Sequence, residues 1–160
     1  MKKRILVVDD ERPILELLKF KLSNRGYEVL TARDVKEFWD QALSQELDLI
    51  ILDIWLRGWI GTQVYGELLD RGFDETIPVI FITALLDEET QAGTGASGKY
   101  ALYRKPFDFD EFMGQVERML AEHSNDERSR PDENEKSNPS NDQSDGDSLT
   151  FSFSEPNGVR

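Results

Sequence analysis

The stretch Ile50-Ile51-Leu52-Asp53 decides how the rest of the chain is interpreted. Three apolar residues that suit a strand are followed by one acid. A strand buried on both faces is apolar throughout, and an ionised carboxylate is costly to bury unless it is paired or binds a metal. The acid is therefore expected at the carboxyl end of the strand, where open α/β sheets form their ligand crevice. We predict that Asp53 is the reactive residue of this protein.

The composition restricts the class of protein. The chain has 160 residues, 38% of them hydrophobic, with a net charge of -13 and no cysteine. This length suits one domain with a sizeable core, and the absence of cysteine excludes disulfides and thiolate metal sites. The acidic balance argues against direct binding of nucleic acid. The apolar run after the basic N-terminus, residues 5–8, is too short for a signal peptide or membrane span, so we predict a cytoplasmic protein without membrane insertion.

Short apolar segments alternate with helical patterns along most of the chain. Strands are predicted at residues 5–8, 27–31, 49–52, 78–82 and 100–103. Asp34 and Asp108 are positioned to cap the helices that follow them. Short strands that are apolar throughout and alternate with helices indicate a parallel sheet covered on both faces. Right-handed crossovers then make this α/β fold doubly wound.

The last part of the chain has a different composition. Residues 124–160 are rich in Ser, Asn, Asp, Glu, Pro and Gly, and few of their side chains are large and apolar. Such a segment cannot offset the entropy lost on ordering. We predict a folded domain over residues 1–122 and a disordered acidic tail over residues 123–160. His123, the only histidine, is expected at the frayed end of the last helix.

Polar side chains follow four of the predicted strands. Asp9 and Asp10 end the first strand, Asp53 the third, Thr83 the fourth and Lys105 the fifth. Because the carboxyl ends of parallel strands meet at one edge of the sheet, these side chains are expected to lie together. Three carboxylates in one place repel one another unless a cation intervenes, and all-oxygen ligands suit Mg²⁺. The lysine and the threonine then provide a charge and a hydroxyl for a phosphoryl group.

Over about residues 3–121 the sequence resembles response-regulator receiver domains, the family of the single-domain chemotaxis regulator and of phosphorelay intermediates. Thr83 and Lys105 lie 30 and 52 positions after Asp53, and both spacings agree with the family. The resemblance implies a five-stranded, flavodoxin-like sheet with strand order 2-1-3-4-5. The residues that carry it are Val7-Val8-Asp9-Asp10, Asp53, Thr83-Ala84 and Lys105-Pro106-Phe107.

The resemblance implies a role for each matching residue. Asp53 is expected to accept a phosphoryl group from a histidine kinase or phosphotransfer protein, with Thr83 and Lys105 contacting that group. The Lys105-Pro106 bond is expected to be cis. A downstream protein would read the phosphorylated state, and no DNA-binding output domain is expected.

A Mg²⁺ site is implied by the same resemblance. Asp10 is expected to be the principal ligand, and Asp9 to act largely through a bound water. Asp53 and the backbone carbonyl of Trp55 would complete the ligands from the protein. The Trp55 side chain could also shield the acyl phosphate from water.

The sequence departs from the family at three places. Leu102 occupies the position of the usual aromatic switch residue, so either Tyr103 substitutes or switching does not use that ring. Gly93, Gly95 and Gly98 fall where a helix is expected, which predicts a short or mobile helix there. Arg57 replaces the proline common four positions after the aspartate.

Two other functions fit part of the pattern. A receiver-like scaffold would bind its partner independently of phosphorylation, and transfer from acetyl phosphate distinguishes the two. A metal-dependent phosphohydrolase also uses an aspartate nucleophile on a doubly wound fold. It normally places a second acid two residues after the nucleophile, where this chain has Trp55.

Overall fold

The computed structural model describes residues 1–84 and 99–129, and within these ranges it contains seven strands and four helices. The strands are β1 (Arg4–Val8), β2 (Glu28–Ala32), β3 (Leu49–Asp53), β4 (Trp55–Leu56), β5 (Trp59–Ile60), β6 (Val79–Thr83) and β7 (Tyr100–Arg104). The helices are α1 (Arg12–Asn24), α2 (Val35–Ser44), α3 (Gly61–Asp70) and α4 (Phe109–Ser129). None of these helices combines the length and the apolar character needed to cross a membrane.

The five longer strands form one parallel sheet in the order β2-β1-β3-β6-β7. Because β4 and β5 form a separate small hairpin, this is the predicted 2-1-3-4-5 order, and the predicted fold is confirmed. The register pairs Val8 with Leu52 and Asp53 with Ile82. The carboxyl ends of β1, β3 and β6 are therefore level, and the residues that follow them share one edge of the sheet.

Side chains alternate between two cores, one on each face of the sheet. Helices α2 and α3 cover one face, where the core includes Leu6, Val8, Ile50, Leu52, Phe38 and Leu68. Helices α1 and α4 cover the other face, where it includes Ile5, Val7, Ile51, Leu18, Phe112 and Val116. Strand β3 is buried along its whole length, which is why its first four residues are apolar.

The helix ends follow the signals in the sequence. The Asp34 carboxylate accepts a hydrogen bond from the Glu37 amide (2.8 Å), and Asp108 accepts one from the Glu111 amide (2.9 Å). These contacts confirm the two predicted caps. Gly26 follows α1 with a φ of 91°, the left-handed conformation that glycine adopts at low cost.

Helix α4 is longer than expected. It continues to Ser129, seven residues past the predicted end of the domain at residue 122. His123 lies on this helix and is only 8% exposed, so the expectation that it sits at a frayed end is wrong. The glycine-rich stretch over residues 93–98 and residues 130–160 of the predicted tail lie outside the described residues.

The hairpin β4–β5 connects β3 to α3 and was not predicted. Arg57 and Gly58 form its turn with positive φ angles of 42° and 87°, the pattern of a tight two-residue hairpin turn. The chain then returns so closely that the Gly61 amide donates to the Ile54 carbonyl (2.6 Å). A Cβ atom at Gly61 would overlap the backbone oxygen of Asp53. The start of α3 therefore rests directly on the end of β3.

We expect Gly61→Ala to lower the free energy of unfolding by about 1–3 kcal/mol, because the added methyl group must displace the backbone of Asp53. The matched control is Gly66→Ala on the same helix, where a Cβ atom meets nothing within 4 Å. It should raise stability by roughly 0.5–1 kcal/mol through helix propensity. Urea denaturation of both variants measures the difference. Equal effects would contradict a close contact at Gly61.

Candidate functional site

Asp53 ends β3 with its carboxylate held at two points. The side chain is nearly buried, with 4% of the residue exposed. One oxygen, Oδ1, accepts a hydrogen bond from the Trp55 amide (3.1 Å), and Oδ2 accepts one from the Lys105 ammonium (3.1 Å). The first contact comes from the residues that directly follow β3, and the second comes from Lys105, which follows β7. Together they fix the orientation of the carboxylate.

Asp9 and Asp10 extend from the neighbouring strand β1. Asp9 is fully buried, and its Oδ1 accepts a hydrogen bond from the Glu11 amide (2.8 Å). Asp10 is more exposed. Oxygen atoms from Asp9, Asp10 and Asp53 all lie within 4.8 Å of one another. The structure thus brings together the three carboxylates that the strand ends predicted.

Lys105 is the nearly buried cation of this cluster. Its Nζ lies 2.7 Å from Asp9, 3.0 Å from Glu11 and 3.1 Å from Asp53, so all three N–H donors of the ammonium face a carboxylate. The backbone amide of Lys105 donates to the Thr83 carbonyl (2.7 Å), and the following peptide bond to Pro106 is cis, as expected. These contacts place the ammonium over the end of β3.

Thr83 ends β6 and is fully buried. Its strand lies between β3 and β7, so it is flanked by the strands that carry Asp53 and lead to Lys105. The predicted site residues Asp9, Asp10, Asp53, Thr83 and Lys105 therefore all lie at one edge of the sheet. The sequence predicted this grouping because each of these residues follows the end of a predicted strand.

Two residues that touch the site were missed. Glu11 contacts Lys105, although nothing in the sequence beyond its position after Asp10 distinguishes it from a solvated acid before a helix. Gly61 supports the backbone of Asp53, and only a requirement for a glycine at that spacing could have indicated it.

Comparison with known proteins agrees with this arrangement. Residues 5–117 match the family described as the response regulator receiver domain. The chain belongs to the response regulator receiver domain family. The CheY-like receiver domain protein from Methanospirillum hungatei JF-1 is a similar structure, at 25% identity and a TM-score of 0.69. That match covers 79% of this chain and 99% of the other.

Two further solved structures are more similar in sequence. Response regulator TrrA from Thermotoga maritima, solved in complex with Mg(2+)-BeF, is 37% identical with a TM-score of 0.60, and the match covers 73% of this chain and 98% of TrrA. NtrX from Brucella abortus, solved in complex with ADP, is 31% identical with a TM-score of 0.69. That match covers 80% of this chain and 29% of NtrX.

The carboxylate cluster of this receiver domain fits a hard divalent cation. Its candidate ligands are all oxygens, they carry more negative charge than Lys105 neutralises, and they are close enough to share one ion. Asp9, Asp10 and Asp53 are the side chains that would hold it.

Tyr103 does not take the place of Leu102 in this receiver domain. Leu102 is paired with Phe81 and lies on the face covered by α2 and α3. Tyr103 points to the opposite face, where its ring packs against those of Phe107 (6.1 Å between centroids) and Phe112 (5.2 Å). Because the two side chains lie on different faces, the ring of Tyr103 does not occupy the position that Leu102 leaves without a ring.

Burial and charge act against each other in the site. Burial raises the pKa of Asp9 from 3.8 to about 6, although hydrogen bonds from Lys105 and the Glu11 amide lower it. Burial also raises the pKa of Asp53, against the Trp55 amide and Lys105. Burial lowers the pKa of Lys105, but its contacts with Asp9 and Glu11 outweigh this and raise it overall. The ammonium of Lys105 therefore stays charged. Its single positive charge does not compensate fully for the burial of the two carboxylates, whose pKa values stay raised.

We expect Asp9 to make the metal-free protein less stable as the pH rises. The folded protein binds this proton more tightly than the unfolded chain, so the stabilisation is complete below about pH 4 and is lost as the pH rises through about 6. Asp9→Asn has no carboxyl group at this position and therefore lacks this dependence on pH. Between pH 4.5 and pH 7.5 its free energy of unfolding should therefore rise relative to wild type by on the order of 1–3 kcal/mol.

Urea denaturation in EDTA at the two pH values measures this change. Asp40→Asn is the control, because Asp40 is an exposed acid paired with Lys36 on α2. A stability difference between Asp9→Asn and wild type that is the same at both pH values would show that Asp9 does not titrate in this range.

Proposed function

We propose that this receiver domain is a phosphoacceptor switch in which Asp53 takes a phosphoryl group. The observation that supports this most directly is the placement of one oriented carboxylate between a lysine ammonium and two further carboxylates. A nucleophilic carboxylate, a cation for the phosphoryl oxygens and ligands for a divalent ion are the parts that such a transfer needs.

The proposed reaction is a transfer from a phosphohistidine. An oxygen of Asp53 forms a bond to phosphorus while the bond from phosphorus to the histidine nitrogen breaks, and the nitrogen keeps the electron pair. The product is an acyl phosphate. Mg²⁺, held by Asp9, Asp10, Asp53 and the carbonyl of Trp55, would neutralise charge on the transferred group. Lys105 would pair with the phosphoryl oxygens and the Thr83 hydroxyl would donate to them.

The switch would act through protein contacts. A histidine kinase or phosphotransfer protein is the proposed donor, and a downstream protein in the cytoplasm is the proposed reader. Attraction of Thr83 to the phosphoryl group favours one of two conformations of the domain, and the partner binds that conformation more tightly. Transmission cannot use an aromatic ring at position 102, because that residue is leucine.

We expect acetyl phosphate with Mg²⁺ to add the mass of one phosphoryl group to the protein, as measured by intact mass spectrometry. Asp53→Ala should abolish the addition, because it removes the nucleophile. Asp40→Ala, which removes an exposed acid on α2, should leave it unchanged.

Failure of acetyl phosphate and of purified histidine kinases to modify the wild type would contradict the proposal. A receiver-like scaffold that works without phosphorylation would then be the better explanation. Modification that persists in Asp53→Ala would place the acceptor elsewhere.

Trp55→Asn is expected to shorten the lifetime of the phosphorylated state several-fold. The Trp55 amide bonds to Asp53, and we propose that the half-exposed side chain of Trp55 restricts access of water to the acyl phosphate. Trp59→Asn is the matched control, since Trp59 is a similarly exposed tryptophan on the same hairpin. Release of phosphate after removal of the donor measures both variants. Equal lifetimes in Trp55→Asn and wild type would rule out shielding.

A further inference from the structure

Arg57 approaches the carboxylate cluster from the hairpin that follows β3. The turn is fixed by the pairing of Trp55 with Ile60 and of Leu56 with Trp59. At a φ of 42°, Arg57 adopts a conformation that is uncommon for a residue with a side chain. The backbone that carries its guanidinium is therefore held near the site by a short, paired segment.

Asp10 is the acid that Arg57 meets. Arg57 Nε lies 3.8 Å from Asp10 Oδ2, with 61% of the arginine side chain and 28% of the aspartate side chain exposed. Lys105 contacts Asp9, Glu11 and Asp53 instead. Within the described residues, the cluster thus has two cations with separate tasks, and Arg57 is the one that pairs with Asp10.

We propose that Arg57 is a tethered counter-ion that competes with the divalent cation for Asp10. This inference rests on the proposed role of Asp10 as a metal ligand. The guanidinium carries one positive charge and cannot lose it, so an incoming Mg²⁺ must displace it from Asp10 or bear its repulsion. The affinity for Mg²⁺ is thereby set lower than the three carboxylates Asp9, Asp10 and Asp53 would give alone. Loading of the site then depends on the magnesium concentration.

The exposure of the Arg57–Asp10 ion pair limits how much Arg57 can change the affinity for Mg²⁺. Partly exposed ion pairs are weak, and removal of one partner changes an equilibrium by at most about fivefold. We therefore expect Arg57→Gln to bind Mg²⁺ about two- to fivefold more tightly than wild type. Arg57→Lys retains the charge and should stay closer to wild type. Because glutamine, lysine and arginine are all unbranched at Cβ, the three proteins share the same backbone constraint at this position.

The experiment is a titration with magnesium chloride at constant low ionic strength. It is followed by tryptophan fluorescence, to which Trp55 and Trp59 on the same hairpin contribute together with Trp39 on α2. The control is Arg118→Gln, which removes the same charge from α4, where Arg118 bonds to Gln115. Its affinity should equal that of wild type. Screening at high salt should reduce the difference between Arg57→Gln and wild type. The increase in stability against urea with added Mg²⁺ gives a second, independent affinity.

Each outcome is decisive. Equal or weaker binding by Arg57→Gln would overturn the inference, as would an equal gain in Arg118→Gln, which would show only an effect of net charge. Wild type that binds no Mg²⁺ by either measurement would overturn the proposed metal site, and the inference with it. Binding by wild type without a change in Arg57→Gln leaves the metal site standing and removes only the role of Arg57.

Discussion

The ammonium of Lys105, bonded to three carboxylates, is the interaction on which the rest of the site depends. Without it, Asp9 and Asp53 would be buried next to each other with no side-chain cation from the described part of the chain beside them. Burial of an unpaired carboxylate is expensive, and two together add mutual repulsion. The lysine lowers the energetic cost of burying these carboxylates but does not neutralise their total charge. The resulting excess of negative charge leaves this end of the sheet ready for a further cation, and Arg57 and a divalent ion are the candidates.

The fold supplies the rigidity that such a crowded site requires. Strand β3 is buried between two cores, so the backbone that ends at Asp53 has little freedom to relax away from its neighbours. Gly61 then closes the turn against the carbonyl of Asp53, and the hairpin between them fixes the Trp55 amide that orients the carboxylate. Packing in the two cores and the contact at Gly61 thus hold the carboxylates in place against their mutual repulsion. This is a general way to keep a reactive acid in place.

Much of the fold and most of the candidate site were predictable from the sequence, for a physical reason. Parallel strands place their last residues at one edge, so Asp9, Asp53, Thr83 and Lys105 could be brought together from the predicted ends of the strands. Contacts that depend on side-chain direction or on a few ångströms of backbone could not. Glu11 looks like any acid at a helix start, and the hairpin has strands of two residues, too short for a periodic signal. The burial of His123 depends on how α4 packs, which the polar composition near the end of that helix conceals.

The distance along the chain between the partners of this site has a consequence for how the site is assembled. Lys105 and Asp9 are separated by 96 positions, and the strand that leads to Lys105 joins the sheet only through β6. A contact between such distant residues closes a long loop, and that closure costs chain entropy. While β7 is unpaired, the acids at the ends of β1 and β3 lack their lysine. The site is therefore complete only in a chain in which β7 has joined the sheet.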